Sequence, residues 1–528
     1  MKLTPLGKIF LALVILATVG FVAWRRYGQA TTHGGAGPSE PSKPGLVQAA
    51  ASDGAAVAPP QGTPAAAGAN ARKGSKRIVV GVNDFGGAYP GLVANDGAEP
   101  GPRSRFTAAG LDVEIRLIRG SKERLAAFDN GEVDVMLLTL DYFANLVPVY
   151  RQKGVELRAF LMADWSRGNL GIVTRPDLRS IESLADAKIA TTRNTPTHYF
   201  LLTLMAKSNL KPDQMERLKS NIVFATKTPL AGDMFKRGEV DAVAIWEPHL
   251  SQAMKEGKGR LLVSTSTATN LIADVLYARA DFLNQRQADI QAFTQAWLEG
   301  VNELQRNPDG SVEVIAKAFK QTPEETREVL GKIKPATFAD NRVFFGLERE
   351  RAPYLSLFDD ASRVWKREGV ISEMANASQT RWLKALEALS GTHAGERVVE
   401  NFKFSPTEAT EVPLLTKSIS IYFPVGSDKL DPNTRRLVDD FAETLAEFGN
   451  AYVRVEGNTD NTGALASNVD LSRRRANALV EYLVRQHGFD RARFVAVGNG
   501  PNKPIGDNRT EEGREMNRRT DFQIIPNK

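Results

Sequence analysis

Residues 456–476 read EGNTDNTGALASNVDLSRRRA, and this stretch predicts the end of a strand, a glycine-containing turn and then a helix. If residues 468–485 are helical, a rotation of about 100° per residue places Arg475 among the apolar side chains of one face. That face consists of Leu471, Ala476, Ala478, Leu479, Tyr482 and Leu483. The neighbouring Arg473 and Arg474 point to the opposite side, toward solvent.

The position of Arg475 predicts a binding site. A guanidinium on a buried helix face is costly unless a counter-ion accompanies it. Asp460 lies on the turn just before the helix and is the predicted partner. An acid and a base held side by side at a rim can bind a ligand that carries both an ammonium and a carboxylate group. The alternative is that the two form only an internal ion pair.

Length and composition exclude several classes of protein. A chain of 528 residues has room for two or three domains, and its 42% hydrophobic and 25% charged residues are ordinary for globular proteins. The net charge of +6 is mild, and no basic run alternates with aromatic residues, so nucleic acid is not an expected partner. The absence of cysteine excludes disulfides, thiolate-metal sites, a cysteine nucleophile and a lipid-bearing cysteine. No cofactor and no metal site are predicted.

The N-terminus resembles a membrane anchor. An apolar run from Ile9 to Trp24 is flanked by lysines and arginines, which predicts a transmembrane helix at residues 9–26 after a cytoplasmic stub at 1–8. A cleaved signal peptide is the alternative, although the apolar core ends at Trp24-Arg25-Arg26 instead of at small residues. Residues 27–75 are rich in Ala, Gly, Pro, Ser and Thr and are expected to form a disordered tether.

From residue 76 to 370, strand-like and helix-like stretches alternate, which favours parallel sheets covered by helices. The predicted strands are IVVGV, VEIRLIR, VDVMLL, LRAFLMA, LGIVT, KIATT, NIVFA and VDAVAIW. After Asp281 the pattern becomes helical, and Thr322 with Glu325 forms a candidate capping box. Residues 371–416 are expected to connect this region to a last domain at 417–528, in which the order βαβαββ predicts a small sheet with helices on one face.

An internal repeat divides the region 76–370 into two lobes. FDNGEVDVMLLTLDYF begins at Phe128, and FKRGEVDAVAIWEPHL begins at Phe235. In each copy a helix ends at a glycine, and Glu-Val-Asp leads into an apolar strand. A helix-ending glycine before a strand is common in any α/β protein, but the shared pattern Phe-x-x-Gly-Glu-Val-Asp exceeds that expectation. If the copies mark two similar lobes, their strand ends meet at a shared cleft. The residues just past the repeats are Thr139, Trp246 and Glu247.

The last domain resembles the OmpA-like peptidoglycan-binding module. The matching residues are Tyr422-Phe423, Leu430, Gly457, Thr459-Asp460-Asn461, Gly463, Asn468, Leu471-Ser472, Arg475-Ala476, Gly498, Asn508, Gly513-Arg514 and Asn517-Arg518-Arg519. The resemblance implies that Asp460 and Arg475 bind the zwitterionic end of meso-diaminopimelate in uncross-linked stem peptides. It also implies that Thr459, Asn461 and Asn468 shape the turn or contact the peptide. Asn458 departs from the family, which usually has histidine there.

Residues 76–370 resemble periplasmic substrate-binding proteins of the nitrate, sulfonate and taurine transporter type. The matching residues are Gly131-Glu132-Val133-Asp134, Ala163-Asp164, Ser166, Gly168, Ile181, Ser183-Leu184-Ala185-Asp186, Thr195, His198, Leu201, Gly238-Glu239-Val240-Asp241-Ala242 and Trp246-Glu247-Pro248. The resemblance implies a two-lobed periplasmic-binding-protein fold of type II. It places the ligand among Asn83, Asp84, Thr139, Trp165, Ser166, Asn194, Thr195, His198, Trp246 and Glu247.

Each of these cleft residues has a simpler explanation as well. His198 can pack within its helix, Trp246 can belong to the core, and Asp164 can shape a loop. Thr195 and His198 fall near a predicted helix start, where free backbone N–H groups favour an anion. The ligand expected on this basis is an anion or a sulfonate-like compound.

Together these expectations describe an α/β protein of the inner membrane, single-pass, with most of the chain in the periplasm. The protein is expected to be non-enzymatic, to bind a small solute and to attach non-covalently to peptidoglycan; an ABC permease is a candidate partner. Two alternatives remain open. One is a purely structural envelope tether, and the other is an enzyme related to thiamine-precursor synthesis, against which the lack of cysteine argues.

Overall fold

The computed structural model describes residues 77–347, 352–404, 411–421, 423 and 427–527. The predicted stub at 1–8, transmembrane helix at 9–26 and tether at 27–75 lie outside these residues. Within the described part of the chain, no helix combines the length and the apolar character that crossing a bilayer requires.

The described residues form an α/β structure. The strands are β1 (Arg77–Val82), β2 (Asp112–Leu117), β3 (Val135–Thr139), β4 (Leu157–Ser166), β5 (Leu170–Thr174), β6 (Ile189–Thr192), β7 (Ile222–Ala225), β8 (Ala242–Trp246), β9 (Arg260–Ser264), β10 (Ala273–Arg279), β11 (Ile333–Pro335), β12 (Leu415–Ile419), β13 (Ala451–Asn458), β14 (Phe494–Gly500) and β15 (Thr520–Pro526).

The α-helices connect and cover these strands. They are α1 (Tyr89–Asn95), α2 (Arg105–Ala108), α3 (Ser121–Asp129), α4 (Leu140–Gln152), α5 (Pro196–Lys207), α6 (Pro212–Ser220), α7 (Thr228–Lys236), α8 (His249–Lys255), α9 (Ala280–Gln285), α10 (Gln287–Arg306), α11 (Pro308–Phe319), α12 (Pro323–Leu330), α13 (Phe338–Phe345), α14 (Pro353–Arg367), α15 (Lys384–Leu389), α16 (Pro432–Glu447), α17 (Leu465–His487) and α18 (Glu511–Asn517). The predicted capping box is present at α12, where Thr322 and Glu325 exchange hydrogen bonds.

Two sheets form the two lobes. The first lobe has the strand order β11-β4-β10-β3-β1-β2, and the second has the order β7-β6-β8-β5-β9. Strands β2, β1 and β3 are parallel, as expected, whereas β10 runs antiparallel to both β3 and β4, and β5 runs antiparallel to β8 and β9. The sheets are therefore mixed, whereas the alternation of strands and helices had favoured parallel sheets. The reason is that the chain crosses between the lobes and returns in the opposite direction.

The internal repeat has the same geometry in both lobes. Gly131 and Gly238 end their helices with φ of 73° and 74°, a conformation that favours glycine. The carboxylate of Asp134 accepts a 2.9 Å hydrogen bond from the backbone N–H of Val79, and that of Asp241 accepts one of 2.9 Å from Lys188. Each aspartate thus joins the start of its strand to the neighbouring parallel strand.

Two segments cross between the lobes, at residues 166–170 and 264–273. They are bonded to each other, because the backbone N–H of Thr265 donates to Leu170 and that of Ser166 donates to Ile272. The side chain of Thr265 also accepts a 2.8 Å hydrogen bond from the backbone of Gly168. We call residues 166–170 and 264–273 the crossing segments.

The C-terminal domain has one sheet of order β12-β15-β13-β14. Helices α16 and α17 lie between its strands in sequence, as predicted. The expected polar loop before the last strand contains α18, so the observed order is βαβαβαβ instead of βαβαββ. Thr510 begins this helix by accepting a hydrogen bond from the backbone of Gly513.

The chain stays packed against the first lobe well past residue 370. The backbone N–H of Trp382 donates to Ala159 of β4, and its indole donates to Asn284. Helix α15 contacts α10 of the same lobe. The predicted connection at 371–416 therefore begins with residues that belong to the surface of the first lobe.

The C-terminal domain binds the second lobe and one crossing segment. Ile181 of the second lobe donates through its backbone to Leu414. In the crossing segment, the Asn270 side chain donates to the backbone of Ala446 at 2.9 Å, and Asn450 donates to that of Ser266 at 3.0 Å. The domain is thus attached at the point where the two lobes join.

A buried ion cluster lies at the same junction. Nζ of Lys207, at the end of α5, is 2.9 Å from Glu447 of α16 and 3.6 Å from Asp360 of α14. Burial alone would lower the pKa of Lys207, but Glu447 and Asp360 more than offset this and raise it. The cluster joins the second lobe, the C-terminal domain and a helix that packs on the first lobe.

Candidate functional site

The helix α17 carries Arg475 as predicted. Ala476, Leu479 and Leu483 are buried, Arg473 and Arg474 are exposed, and Arg475 is half-buried. Its Nε donates a 3.0 Å hydrogen bond to the carbonyl of Ser427, and its guanidinium lies 4.7 Å from the centre of the Phe423 ring. Burial lowers the pKa of Arg475, while Asp428 and Asp460 act in the opposite direction.

The ion-pair partner of Asp460 is Arg518, not Arg475. Oδ2 of Asp460 lies 2.8 Å from Nη1 of Arg518, and Oδ1 accepts a 2.9 Å hydrogen bond from the backbone of Thr462. Among the described residues, no ion pair within 4.0 Å joins Asp460 to Arg475. The prediction of a direct pair was therefore wrong. The reason is that β15 pairs with β13, and this pairing places Arg518 beside the turn that follows β13.

Burial alone would raise the pKa of Asp460, but the hydrogen bonds from Arg518 and Thr462 hold it below its usual value. Asp460 is therefore ionised at neutral pH. It also exerts an electrostatic effect on Arg475, so the acid and the base lie in one neighbourhood at the end of the sheet.

The remaining residues of the predicted wall site lie on or under the same turn. Thr459 is buried and donates through its backbone to Gly500 and through its hydroxyl to the carbonyl of Asp460. The side chain of Asn468 donates to the carbonyl of Thr462 at 3.0 Å, so it holds the turn closed. Asn461 is exposed at the tip of the turn.

A buried polar network supports this turn from below. Asn458, which departs from the family pattern, donates to Asp521 at 3.0 Å and accepts from Asn499 at 3.0 Å. Asp521 is paired with Arg519 at 3.0 Å. Asparagine at this position thus keeps hydrogen bonds on both sides, and the network fixes the strand end that presents Asp460.

The second candidate site is a cavity of about 570 Å³ between the two lobes. Seven of the predicted cleft residues line it. They are Asn83, Asp84, Thr139, Ser166, Thr195, Trp246 and Glu247. Thr139 and Trp246 are the last residues of β3 and β8, so the strand ends after the two repeats do meet at one cavity.

Trp165, Asn194 and His198 do not line the cavity. Trp165 lies one residue before Ser166 on β4 and packs edge-on against Phe344, with ring centres 5.4 Å apart. Because side chains alternate along a strand, Ser166 faces the cavity while Trp165 faces the core. The expectation that Trp165 faces the cleft is corrected accordingly.

His198 packs inside the molecule. Its ring lies 5.0 Å from that of Phe224 and 5.9 Å from that of Trp365, and Nδ1 accepts a hydrogen bond from the backbone of Asn194. Asn194 has φ of 57°, and its backbone turns into the helix start. Burial lowers the pKa of His198 to about 4, so the imidazole is neutral at physiological pH. Of this helix start, the cavity is lined by Thr195 and the next residue, Pro196.

The rim charges of the cavity are paired within the protein. Glu247 accepts from Ser251 at 2.8 Å and from Lys332 at 2.8 Å. Asp84 pairs with Arg119 at 2.8 Å. These rim groups are therefore paired within the protein.

The deep end of the cavity contains ionisable residues that were absent from the sequence-based site. Arg124 of α3 and Asp274 of β10 both line it and are almost completely buried. Asp274 stands alone in the apolar stretch NLIADVLYA, and that isolated charge was the available signal. Behind it, Asp164 of β4 is fully buried. Among the described residues, no group of three or more His, Cys, Asp and Glu side chains could hold a metal ion.

Comparison with known proteins identifies both parts of the chain. Residues 422–518 match the OmpA family, and residues 105–311 match the family described as NMT1/THI5 like. Putative lipoprotein YfiB of Escherichia coli is 30% identical over 137 residues, which are 26% of this chain and 86% of that protein. The chain therefore belongs to the OmpA family through its C-terminal domain, which follows an NMT1/THI5-like domain.

Other relatives match over part of their length. Outer membrane protein Omp38 of Acinetobacter baumannii is 34% identical over 155 residues, or 27% of this chain and 44% of that protein. This chain thus spans less than half of Omp38. The crystal structure of the periplasmic aliphatic sulphonate binding protein SsuA from Escherichia coli covers 59% of this chain and 99% of its own, with a TM-score of 0.45 and 16% identity.

Proposed function

We propose that this protein binds a small solute in the cavity between its lobes and attaches non-covalently to peptidoglycan through its C-terminal domain. The observation that carries the proposal is the joining, in one chain, of an OmpA-family domain with a two-lobed NMT1/THI5-like domain that encloses a cavity. Neither half of this activity requires covalent chemistry, and the proposed role is non-enzymatic.

Peptidoglycan binding is assigned to Asp460 and Arg475. The carboxylate of Asp460 is kept ionised by Arg518, and Arg475 is half-buried in the same neighbourhood. An ionised acid and a base near one another suit a ligand that carries both an ammonium and a carboxylate, such as the free end of meso-diaminopimelate in a stem peptide. Thr459, Asn461 and Asn468 shape the turn that presents the acid.

Binding to purified sacculi tests this assignment. Asp460→Ala and Arg475→Ala in the full chain are expected to abolish co-sedimentation, because each removes one of the two charges that meet the zwitterion. Arg473→Ala is the matched control, since Arg473 lies on the exposed side of the same helix. Unchanged sedimentation of the Asp460 and Arg475 variants, with folding intact by circular dichroism, would refute the roles given to these residues.

Solute binding is assigned to the cavity lined by Thr139, Ser166, Thr195 and Trp246. Two-lobed proteins of this kind close on their ligand by rotation about the crossing segments. Trp246 is partly exposed at the end of β8, where its ring can cover a ligand. Trp246→Ala is therefore expected to reduce the ligand-induced rise in melting temperature while sacculus binding is retained.

That measurement uses thermal-shift screening of the full chain against small anions, sulfonates, amines and wall fragments. The absence of a shift with every compound would favour the structural alternative, in which the cavity serves no ligand. For the location, we propose an inner-membrane, single-pass protein with its bulk in the periplasm. The predicted transmembrane helix at 9–26 and the OmpA-family domain support this location, and an ABC permease is the partner proposed for uptake.

A further inference from the structure

A pair of carboxyl groups lies at the deep end of the cavity. Asp274 of β10 and Asp164 of β4 are opposite each other in the antiparallel ladder, and Asp274 is also opposite Thr139, the last residue of β3. Both acids are close to the turn that follows β1. A Cβ atom on Gly87 would lie 2.9 Å from Oδ1 of Asp164 and 3.1 Å from Oδ2 of Asp274. The glycine therefore lets the backbone approach two carboxyls at once.

These carboxyls have unused capacity for hydrogen bonds. Asp164 is 0% exposed, and within the described part of the chain its carboxyl has no hydrogen-bond partner other than the facing carboxyl of Asp274. Asp274 is 5% exposed and lines the cavity, where a ligand reaches it. Buried acceptors without donors are costly, and a ligand that brings N–H groups removes that cost.

The surrounding charges favour a positive ligand. Arg124 is the basic side chain that faces the pair from α3, and it donates to the carbonyl of Ile118. Asp141 at the start of α4 is a third buried acid that interacts with Asp274. Three carboxyl groups and one guanidinium therefore surround the deep end, and each carboxyl that is ionised attracts a cation and repels an anion.

We propose that the ligand of this cavity carries an ammonium group with N–H donors, that Asp274 binds this group, and that Asp164 directly behind it contributes to the binding through its charge. The inference rests on the proposed function, since it names the ligand class of the same cavity. It replaces the expected anion or sulfonate with a small amine. A quaternary ammonium does not suit the site, because it lacks the N–H donors that the carboxyl oxygens need.

The experiment compares probes that share one carbon chain and differ in their head group. n-Butylamine, butane-1-sulfonate and 4-aminobutanoate are titrated into the full chain by calorimetry, with thermal shift as a second readout. We expect n-butylamine or 4-aminobutanoate to bind and butane-1-sulfonate not to bind. Asp274→Asn and Asp164→Asn are expected to weaken amine binding at least tenfold, because each replaces an acid with a neutral group of the same shape.

Asp177→Asn is the matched control, since Asp177 is exposed on a loop of the second lobe. It should leave amine binding unchanged. Circular dichroism and the melting temperature of each unliganded variant show whether its lobes are folded. Should butane-1-sulfonate bind while the amines do not, the ligand class is wrong although the cavity still binds a solute. Should no probe bind, both the ligand class and solute binding by the cavity fail.

The pH dependence gives an independent readout. Burial raises the pKa of Asp274 to about 6, against the lowering effect of Asp164 and Arg124, and burial and Asp274 raise the pKa of Asp164 well above its usual value. Amine binding requires these acids to be ionised. Affinity for the amine should therefore rise between pH 5 and pH 8, by no more than about tenfold per pH unit for each proton released. Affinity that falls over this range would contradict the proposal.

Discussion

At the scale of single residues, Arg475 shows what helical periodicity can and cannot predict. The 3.6-residue period placed it on the inner side of α17, and the structure confirms this, with Arg473 and Arg474 exposed. The period contains no information about which acid comes near. That depends on the pairing of β15 with β13, which places Arg518 next to Asp460. A long-range strand register of this kind cannot be read from a local pattern.

Asp141 allows a prediction about stability. Burial raises the pKa of this carboxyl to about 7, whereas in an unfolded chain it titrates near 3.8. Between these two values the native state holds a proton that the unfolded state has released. Its contribution to the free energy of unfolding therefore falls as pH rises from about 4 to 7.

Asp141→Asn removes this titration. The variant should match the wild type in stability near pH 4 and exceed it at pH 8 by an amount on the order of 4 kcal/mol. Urea unfolding at a series of pH values measures the difference. A difference that does not change with pH would show that Asp141 does not titrate in this range.

Among the cleft residues, too, the local sequence predicted the strand ends but not the contacts made by distant parts of the chain. The repeat of Gly-Glu-Val-Asp predicted that Thr139 and Trp246 end equivalent strands, and both line the cavity. His198 has a polar ring near a helix start, but its neighbours Phe224 and Trp365 come from distant parts of the chain and enclose it. Its burial could not be predicted from the sequence near it.

At the scale of elements, the packing of α17 on the C-terminal sheet depends on glycine. A Cβ atom on Gly457 of β13 would lie 2.2 Å from the carbonyl oxygen of Ser472, and one on Gly498 of β14 would lie 2.5 Å from that of Val469. These contacts involve the helix backbone, which cannot rotate away as a side chain can. The two glycines therefore set how closely the helix approaches the sheet, and with it the position of Arg475.

Gly457→Ala tests this packing. The added methyl group forces the helix away from the sheet, and we expect a loss of about 1–3 kcal/mol in the free energy of unfolding. Gly391→Ala is the control, because its Cβ would meet no atom within 4 Å. The control should change stability by less than about 0.5 kcal/mol. Both free energies of unfolding are measured with urea. If Gly457→Ala and Gly391→Ala lower them equally, the close approach of α17 to the sheet does not contribute to stability.

Most strands of residues 76–370 could be predicted from the sequence, but whether each strand runs parallel or antiparallel to its neighbours could not. The apolar runs predicted as strands in residues 76–370 correspond to β1 through β8. Strands β9, β10 and β11 were not predicted, and they run antiparallel to their neighbours. Their direction follows from the route of the chain between lobes, which no short pattern encodes. The short helix α18 was missed because its residues are polar.

At the scale of the whole molecule, the boundary between domains contains buried charge. Lys207, Glu447 and Asp360 come from three different parts of the chain and meet at the junction. Burial raises the pKa of Glu447 to about 7 even though Lys207 acts to lower it. Removing one member of such a cluster is strongly destabilising, because it leaves a buried charge without compensation. The sequence predicted a long connection here and gave no sign of this contact.

The attachment of the C-terminal domain to the crossing segment has a mechanical consequence. Asn270 and Ser266, which are bonded to Ala446 and Asn450, belong to one of the two crossing segments about which we propose that the lobes rotate. Rotation of the lobes would twist this crossing segment. Because the C-terminal domain is hydrogen-bonded to the segment, the twist would also displace that domain. Conversely, a force applied to the C-terminal domain would act on the crossing segment between the lobes. If the domain binds peptidoglycan and the cavity binds a solute, as proposed, then a force on the domain and occupancy of the cavity would act on the same few hydrogen bonds.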